Sequence, residues 1–402
     1  MAQKSSNTAL AIVLQPIAGT FVTPAQPADL MPISNLRPSI AGVTVQNDEY
    51  TGGVAQNGAT VAGKRVTAQF NIKLRPPGGG AVPTAGAFLP GRILRAAKMT
   101  EVITAASIPA AAEALGSGGT TTAATLGAGA AATAGLYKGM ALQLRQLGTT
   151  IKQQLTAIRA YSAGKAASLI EVLGGAATGN YLIPPQLSYL RSVDSSDPPL
   201  LSLQTWFGGD RWDWVDVRVT GLTMVVPTTT RDSATYPELQ VSVEGTIAAA
   251  VAETAPAAPS LGAIPTFKDG KEWLSGKAVG GQTFSVDLGI TTENPPNPNQ
   301  PDGSDPAEIT ASTAQLTMTR QKYAKDVFDT LTKADEQLQH GFFAQWGYVA
   351  GGIVQIVVPD ARFDYQNPDL GGGNVMESGN LYIDAFDRSV TINFPYPAAA
   401  LA

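Results

Sequence analysis

Along residues 65–75 apolar and polar side chains alternate without a break. Val66, Ala68, Phe70, Ile72 and Leu74 fall on one side, and Arg65, Thr67, Gln69, Asn71, Lys73 and Arg75 on the other. Side chains in a strand alternate faces with period two, so this stretch predicts a half-buried β-strand with one wet face. The pattern returns at Thr313–Arg320, with Ala314, Leu316 and Met318 inward and Thr313, Gln315, Thr317 and Thr319 outward. The two are expected to be equivalent strands of a duplicated β domain.

Shorter alternations predict strands at Leu10–Leu14, Ile40–Val45, Leu200–Phe207, Arg211–Val219 and Leu239–Glu244. In the second half they predict Thr283–Ile290, Ile353–Val358, Arg362–Tyr365, Leu381–Phe386 and Val390–Phe394. Gly208-Gly209-Asp210 reads as a hairpin turn. Helical spacing appears at Leu89–Met99, where Leu89, Ile93, Leu94 and Ala97 share a face and Pro90 suits a first turn. It appears again at Lys322–Leu338, with Tyr323, Val327, Leu331 and Leu338 as the expected apolar side. A long Gly-rich loop, 46–64, precedes the opening strand, and a loop rich in Pro and Asn, 291–312, precedes its counterpart. Loops beyond ~12 residues without structure of their own are uncommon in compact domains and usually functional or disordered. Strand, long loop, long strand, helix, hairpin, loop and strand therefore occur twice, and the duplication rests on order and pattern.

A chain of 402 residues exceeds one ordinary core. From about residue 105 the composition shifts to Ala, Gly and Thr, with strand-like pieces at Ala141–Leu144, Ile151–Tyr161, Ala167–Leu173 and Tyr181–Ile183. This predicts a β-rich insertion over 105–186. The expected division is a first domain from 1–104 (with an amino-terminal arm over 1–38) and 187–256, then a second from 257–402. The Ala/Pro-rich stretch Ile247–Pro259 is the expected linker. The net charge is −5, yet the insertion holds five cations and two glutamates, a balance of +3, which leaves −8 on the rest. An acidic body argues against general nucleic-acid binding, which cationic contacts to phosphate drive.

The chemistry of the side chains points away from catalysis. There is no cysteine, hence no thiolate nucleophile or disulfide framework, and His340 is the only histidine, expected as a helix-end residue. Asp48-Glu49, Asp302/Asp305 and Asp210/Asp213/Asp216 match no EF-hand spacing and read as solvated turns. Gly78–Gly80 and Gly371–Gly373 lack the Lys-Ser/Thr of a phosphate loop. Trp206, Trp212 and Trp214 could form a sugar-stacking platform, but beside a hairpin turn they are expected as core or subunit-interface anchors. No catalytic residue, cofactor or metal site is expected. The amino terminus lacks a signal-peptide pattern, and no apolar run reaches the ~18 residues of a membrane span.

An ordered set of segments resembles the tail-tube (major tail) proteins of long-tailed bacteriophages. These are Gly19-Thr-Phe-Val-Thr-Pro, then Gly63-Lys-Arg-Val-Thr-Ala-Gln-Phe-Asn-Ile-Lys-Leu after a long loop, then Gly91-Arg-Ile-Leu-Arg-Ala-Ala. Leu203-Gln-Thr-Trp-Phe-Gly-Gly-Asp, Val217-Arg-Val-Thr-Gly-Leu and Leu239-Gln-Val-Ser-Val-Glu-Gly follow. The resemblance implies a mainly β fold: two tandem tail-tube-like β-sandwich or barrel domains, each with a flanking helix, plus the small β-rich insertion. It implies rings in which sheets join laterally into an inner barrel, built here from three two-domain chains or alternatively six chains. The rings would stack into a tube, the conduit for DNA ejection, which passes DNA without specific binding. Expected partners are further copies, a tape-measure protein and tail terminator or tip proteins, with no membrane, in a virion assembled in the host cytoplasm. The long loops are expected to bridge rings, through Asp48, Glu49, Tyr50 and Asn57 in one and Asn294, Asn297, Asp302 and Asp305 in the other. An acidic lumen would repel phosphate, so Arg65, Lys73 and Arg75 on the opening strand must pair with carboxylates or face outward. The alternative class is a cell-surface or carbohydrate-binding β protein, such as an adhesin or capsid decoration protein.

Overall fold

The computed structural model describes residues 8–47, 58–147, 150–257, 262–300, 303–371 and 373–399. The fold is mainly β. The chain opens with β1 (Thr8–Gln15), β2 (Leu30–Met31), β3 (Ser34–Val45) and β4 (Thr60–Lys73), followed by helix α1 (Leu89–Ala96) and β5 (Met99–Thr104). Next come β6 (Ile108–Ala114), β7 (Ala123–Thr125), β8 (Ala141–Leu147), β9 (Thr150–Tyr161), β10 (Ala166–Leu169) and β11 (Ala177–Ile183). The first half closes with β12 (Gln186–Arg191), β13 (Leu200–Phe207), β14 (Asp210–Pro227) and β15 (Glu238–Ala252). The second half begins with β16 (Lys271–Leu274), β17 (Lys277–Ala278), β18 (Gly281–Asp287), β19 (Ile290–Glu293), β20 (Glu308–Ser312) and β21 (Gln315–Gln321). Helix α2 (Thr330–Glu336) leads to β22 (His340–Trp346), β23 (Val354–Phe363), β24 (Asn367–Asp369), β25 (Met376–Ile383) and β26 (Thr391–Pro395).

The alternation in the opening strand is realised as a burial pattern. Val66, Ala68, Phe70, Ile72 and Leu74 are all buried, as are Ala314, Leu316 and Met318 around β21. Their core also takes in Tyr189 of β12, Phe284 of β18, Phe342 of β22 and Phe394 of β26, so both halves contribute to one apolar cluster. Helix α1 lies close over β12: a Cβ at Gly91 would collide with the Tyr189 ring, whose hydroxyl donates to Glu101 at 2.7 Å. That approach needs a residue without a side chain.

Residues 108–183 build a separate six-stranded sheet, β6-β11-β8-β9-β10-β7, over its own core of Leu142, Leu144, Ile158, Tyr161 and Tyr181. It docks on the second half through charge and a small apolar contact. Arg159 and Lys138 both reach Asp360 at 3.0 Å, Lys271 reaches Glu171 at 3.0 Å, and Ala157 and Ile170 pack on Phe343 and Val357. Part of the insertion's cationic excess is thus spent on attachment.

Four expectations need correction. The stretch Ile247–Ala252 continues β15, with Trp212 opposite Ala250 and Asp210 opposite Ala252; the length of β14 supplies the ladder that an Ala-rich composition does not advertise. The predicted helix 322–338 forms only from Thr330 to Glu336, because the Asp329 side chain caps it by accepting from the Thr332 amide at 3.1 Å. That start changes the phase: Phe328, Thr330 and Ala334 are buried, whereas Val327, Leu331 and Leu338 are exposed. The loop 291–312 contains the paired strands β19 and β20. Residues 354–363 form one strand where two were expected. Among the described residues no helix is long and apolar enough to cross a membrane.

Candidate assembly surfaces

Strand β14 organises the larger sheet. On one side it pairs with β15 along most of its length. On the other side its first part pairs with β13, and its last part, Thr223–Pro227, pairs with β18 from Asp287 to Thr283. Between these partners the ladder shifts near Asp216, which takes a φ of +55°. Gln15 pins this bend, with Nε2 at 2.5 Å from Asp216 Oδ1 and Oε1 accepting from the Asp216 amide at 2.9 Å.

The pairing yields two similar runs joined at their edges. The first is β3-β4-β15-β14; the second is β18-β21-β25, flanked by β23 and then β24 along the same side of β25. In each run a helix follows the second strand. The β14–β18 ladder is therefore an edge-to-edge joint between like units within one chain. The outer edges of the two runs, β3 and β24, have no strand partner among the described residues. Each carries a proline, Pro38 and Pro368, and Pro227 lies in the internal joint. Proline shortens the ladder an edge can offer to a chance partner.

The two matching hairpins differ beyond their shared base. The distal part of β3–β4 is an arm: Ser34–Val45 is nowhere fully buried, and Ile40, Val43, Val45 and Val61 are exposed. The β18–β21 hairpin instead ends in the β19–β20 ribbon, which is fastened to its own chain. Buried Arg218 donates from Nε to Ala307 O at 2.6 Å and from Nη1 to Pro198 O, and Asp197 accepts from the Ile309 amide at 3.2 Å. Buried Arg191 donates to Ser312 O at 2.5 Å and to Ser389 Oγ at 3.0 Å. Burial lowers the pKa of both guanidiniums, an indication of how far each is withdrawn from water.

The expected contact residues are distributed accordingly. Asp48, Glu49, Tyr50, Asn57 and Asp302 lie outside the described residues. Asn297 donates to Asp305 at 2.7 Å within its own turn, and Asn294 and Asp305 face a small pocket beside Arg65 and Glu244. Trp206 and Trp214 are fully buried, with indole N–H groups reaching Glu253 at 3.3 Å and Thr205 at 2.8 Å. Trp212 is partly buried, edge-on to Phe207 with centroids 4.5 Å apart. The three do not present a stacking platform. On the opening strand Arg65 pairs with Glu244 and Lys73 with Glu238 at 2.6 Å, both on the neighbouring β15. Among the described residues Arg75 has no such partner, and its Nε is buried without one.

His340 opens β22 and meets Ser275 Oγ at 2.9 Å through Nδ1. Its Nε2 is buried with no hydrogen-bond partner among the described residues. No group of metal-ligating side chains occurs among the described residues. A buried ionic cluster was not anticipated: Arg320 donates to Glu377 at 2.9 Å, Lys322 and Thr330 reach the same carboxylate, and Glu272 accepts from the Gly281 amide at 2.8 Å. Its signal was parity, since Arg320 follows Ala314, Leu316 and Met318 on the inward side. No protein-family model matches this chain, and no curated protein sequence matches it.

Proposed function

We propose that the chain is a structural virion protein whose copies join into rings and stack as the tail tube of a long-tailed phage, the conduit for DNA. The observation that carries this reading is the β14–β18 ladder. It joins two sheets of like order edge to edge, and among the described residues the same joint remains open at β3 and β24. A free β24 edge on one chain meets the free β3 edge of the next, a head-to-tail contact that closes into a ring when its rotation permits. Three chains then supply six units. Closure covers the exposed edges, which are otherwise an aggregation liability. The arm reaches to the adjacent ring, tape-measure and terminator or tip proteins complete the tail, and DNA passes without specific contacts. Pairing of Arg65 and Lys73 with glutamates is compatible with a lumen that does not hold phosphate.

Negative-stain microscopy of the purified protein tests this. Rings or stacked-ring tubes are expected, with three chains per ring by mass measurement. Discrete particles would favour the cell-surface or carbohydrate-binding class, and six chains per ring would overturn the two-unit count.

A further inference from the structure

A cleft of about 1070 Å³ opens at the root of the arm, where the two halves of the chain meet. Its walls are mainly apolar, with Met31, Ile33, Pro76, Phe88, Ile264 and Val349 among them. Set into them is Arg75, which has no ion pair among the described residues; its Nε and the hydroxyl of neighbouring Ser34 are both buried with no hydrogen-bond partner among those residues. Lys73 on the same wall is already neutralised by Glu238, and burial lowers the pKa of the Arg75 guanidinium. Lys268 and Asp269 also line the cleft. The volume is far larger than a simple anion requires. Apolar walls around an unpaired guanidinium call for apolar side chains carrying a carboxylate.

The chain contains a segment of that chemistry. Val43 and Val45 at the end of the arm are 66% and 56% exposed, and Asp48-Glu49-Tyr50 follow in sequence. The segment cannot fill the cleft of its own chain. The ladder from Ser34–Asn71 at the cleft to Val45–Thr60 spans about 37 Å at the usual strand rise, and a returning tip of five residues covers only about 17 Å. We propose that the Arg75 cleft receives the arm of a second copy, with Asp48 or Glu49 on the guanidinium and the valines and Tyr50 on the apolar walls. This rests on the tube reading, in which copies stack along the arm's direction. It adds the receiving site and limits the axial repeat to the arm's reach. A protrusion and a recess on one chain form a heterologous contact that propagates without closing.

The absence of cysteine makes cross-linking a direct test. Val45→Cys and Val349→Cys are made as separate variants, mixed after purification and treated with a short bis-maleimide. A cross-linked dimer containing one of each is expected, and it should be scarce with either variant alone. Adding Arg75→Glu to the Val349→Cys chain should cut its yield by roughly tenfold or more, as should adding Asp48→Arg and Glu49→Arg to the Val45→Cys chain. Combining the two charge reversals should restore it. Rings or tubes with no Val45–Val349 link overturn the cleft as receiver and leave the tube reading intact. Chains that do not associate at all overturn both.

Discussion

The β3–β4 and β18–β21 hairpins occupy equivalent places in two similar sheet runs, yet the distal described part of one is exposed and the other ends against its own chain. The cause is a pair of buried arginines. Arg218 holds Ala307 and Arg191 holds Ser312 through backbone carbonyls, so the second hairpin's tip is drawn onto the first half. Among the described residues nothing comparable grips Ile40–Val45. The charge pairs along the strands differ in the same sense: Lys73–Glu238 lies at the surface, whereas Arg320–Glu377 is fully buried. One of the two hairpins is internal architecture, and the other keeps an exposed surface, the one the proposed assembly would use.

Breaking the buried pair gives the largest expected effect. Glu377→Ala removes the carboxylate to which Arg320 donates in the core and should cost about 3–5 kcal/mol. Glu238→Ala, which removes the β15 partner of Lys73 on the first hairpin, should cost under about 1 kcal/mol, because Lys73 retains solvent. Urea midpoints at unchanged slope measure both, and equal losses would contradict the contrast. The next largest effect is at Arg218→Met. It strands the carbonyls of Ala307 and Pro198 and should cost about 2–3 kcal/mol. Amide hydrogen exchange should quicken in 308–312 and stay unchanged in 60–73; an unaltered ribbon would show that Arg218 is not what holds it.

These contrasts explain what was legible in the sequence. Period-two patterning located β4 and β21 because burial of one sheet face is a local rule, and Val66 to Leu74 obey it at every second position. The short insertion strands were legible for the same reason. Pairing was not, because which strand lies beside Thr223–Pro227 depends on a bend at Asp216 held by Gln15, two hundred residues away in the chain. The second helix misled because Val327, Leu331 and Leu338 keep helical spacing, while a cap at Asp329 decides where the helix begins. The free edges β3 and β24 are a property of the whole sheet, and no stretch of residues announces them.

Proton linkage should act on the second half of the chain, through Glu272 on β16 and His340 on β22. Burial raises the carboxyl of Glu272, which lies on β16 and accepts from the Gly281 amide where β18 starts, to about 7 from an ordinary 4.5. The folded state therefore binds more protons than the unfolded one between those values. Its contribution to stability is complete below pH 4.5 and is lost as pH rises through about 7. His340 is pushed the other way, to about 4 from 6.5, first by burial and then by Lys333 and Arg159. Its contribution is present above pH 6.5 and lost as pH falls through about 4. The two slopes oppose each other between pH 4.5 and 6.5. Melting temperature should be nearly level there in the wild type, rise with pH in Glu272→Gln and fall with pH in His340→Gln. Each change is on the order of 1–2 kcal/mol. Identical profiles in all three proteins would remove both groups from the account.

The smallest expected effect on stability separates the hairpins most sharply. Val43→Thr and Val61→Thr lie on the arm, where both valines are more than half exposed and face Ala62 and Thr44 across the ladder. Without cover from their own chain, each should change the unfolding free energy by no more than about 0.5 kcal/mol. Threonine keeps the β-branched shape that suits a strand, so the ladder itself should persist. Assembly is the quantity that should respond: sedimentation velocity should show the large species depleted while the dispersed chain melts as before. A loss above about 1 kcal/mol in the dispersed chain would mean that the arm is already packed against its own molecule. The contrast with the ribbon would then disappear, and with it the reason for assigning the arm to a second copy.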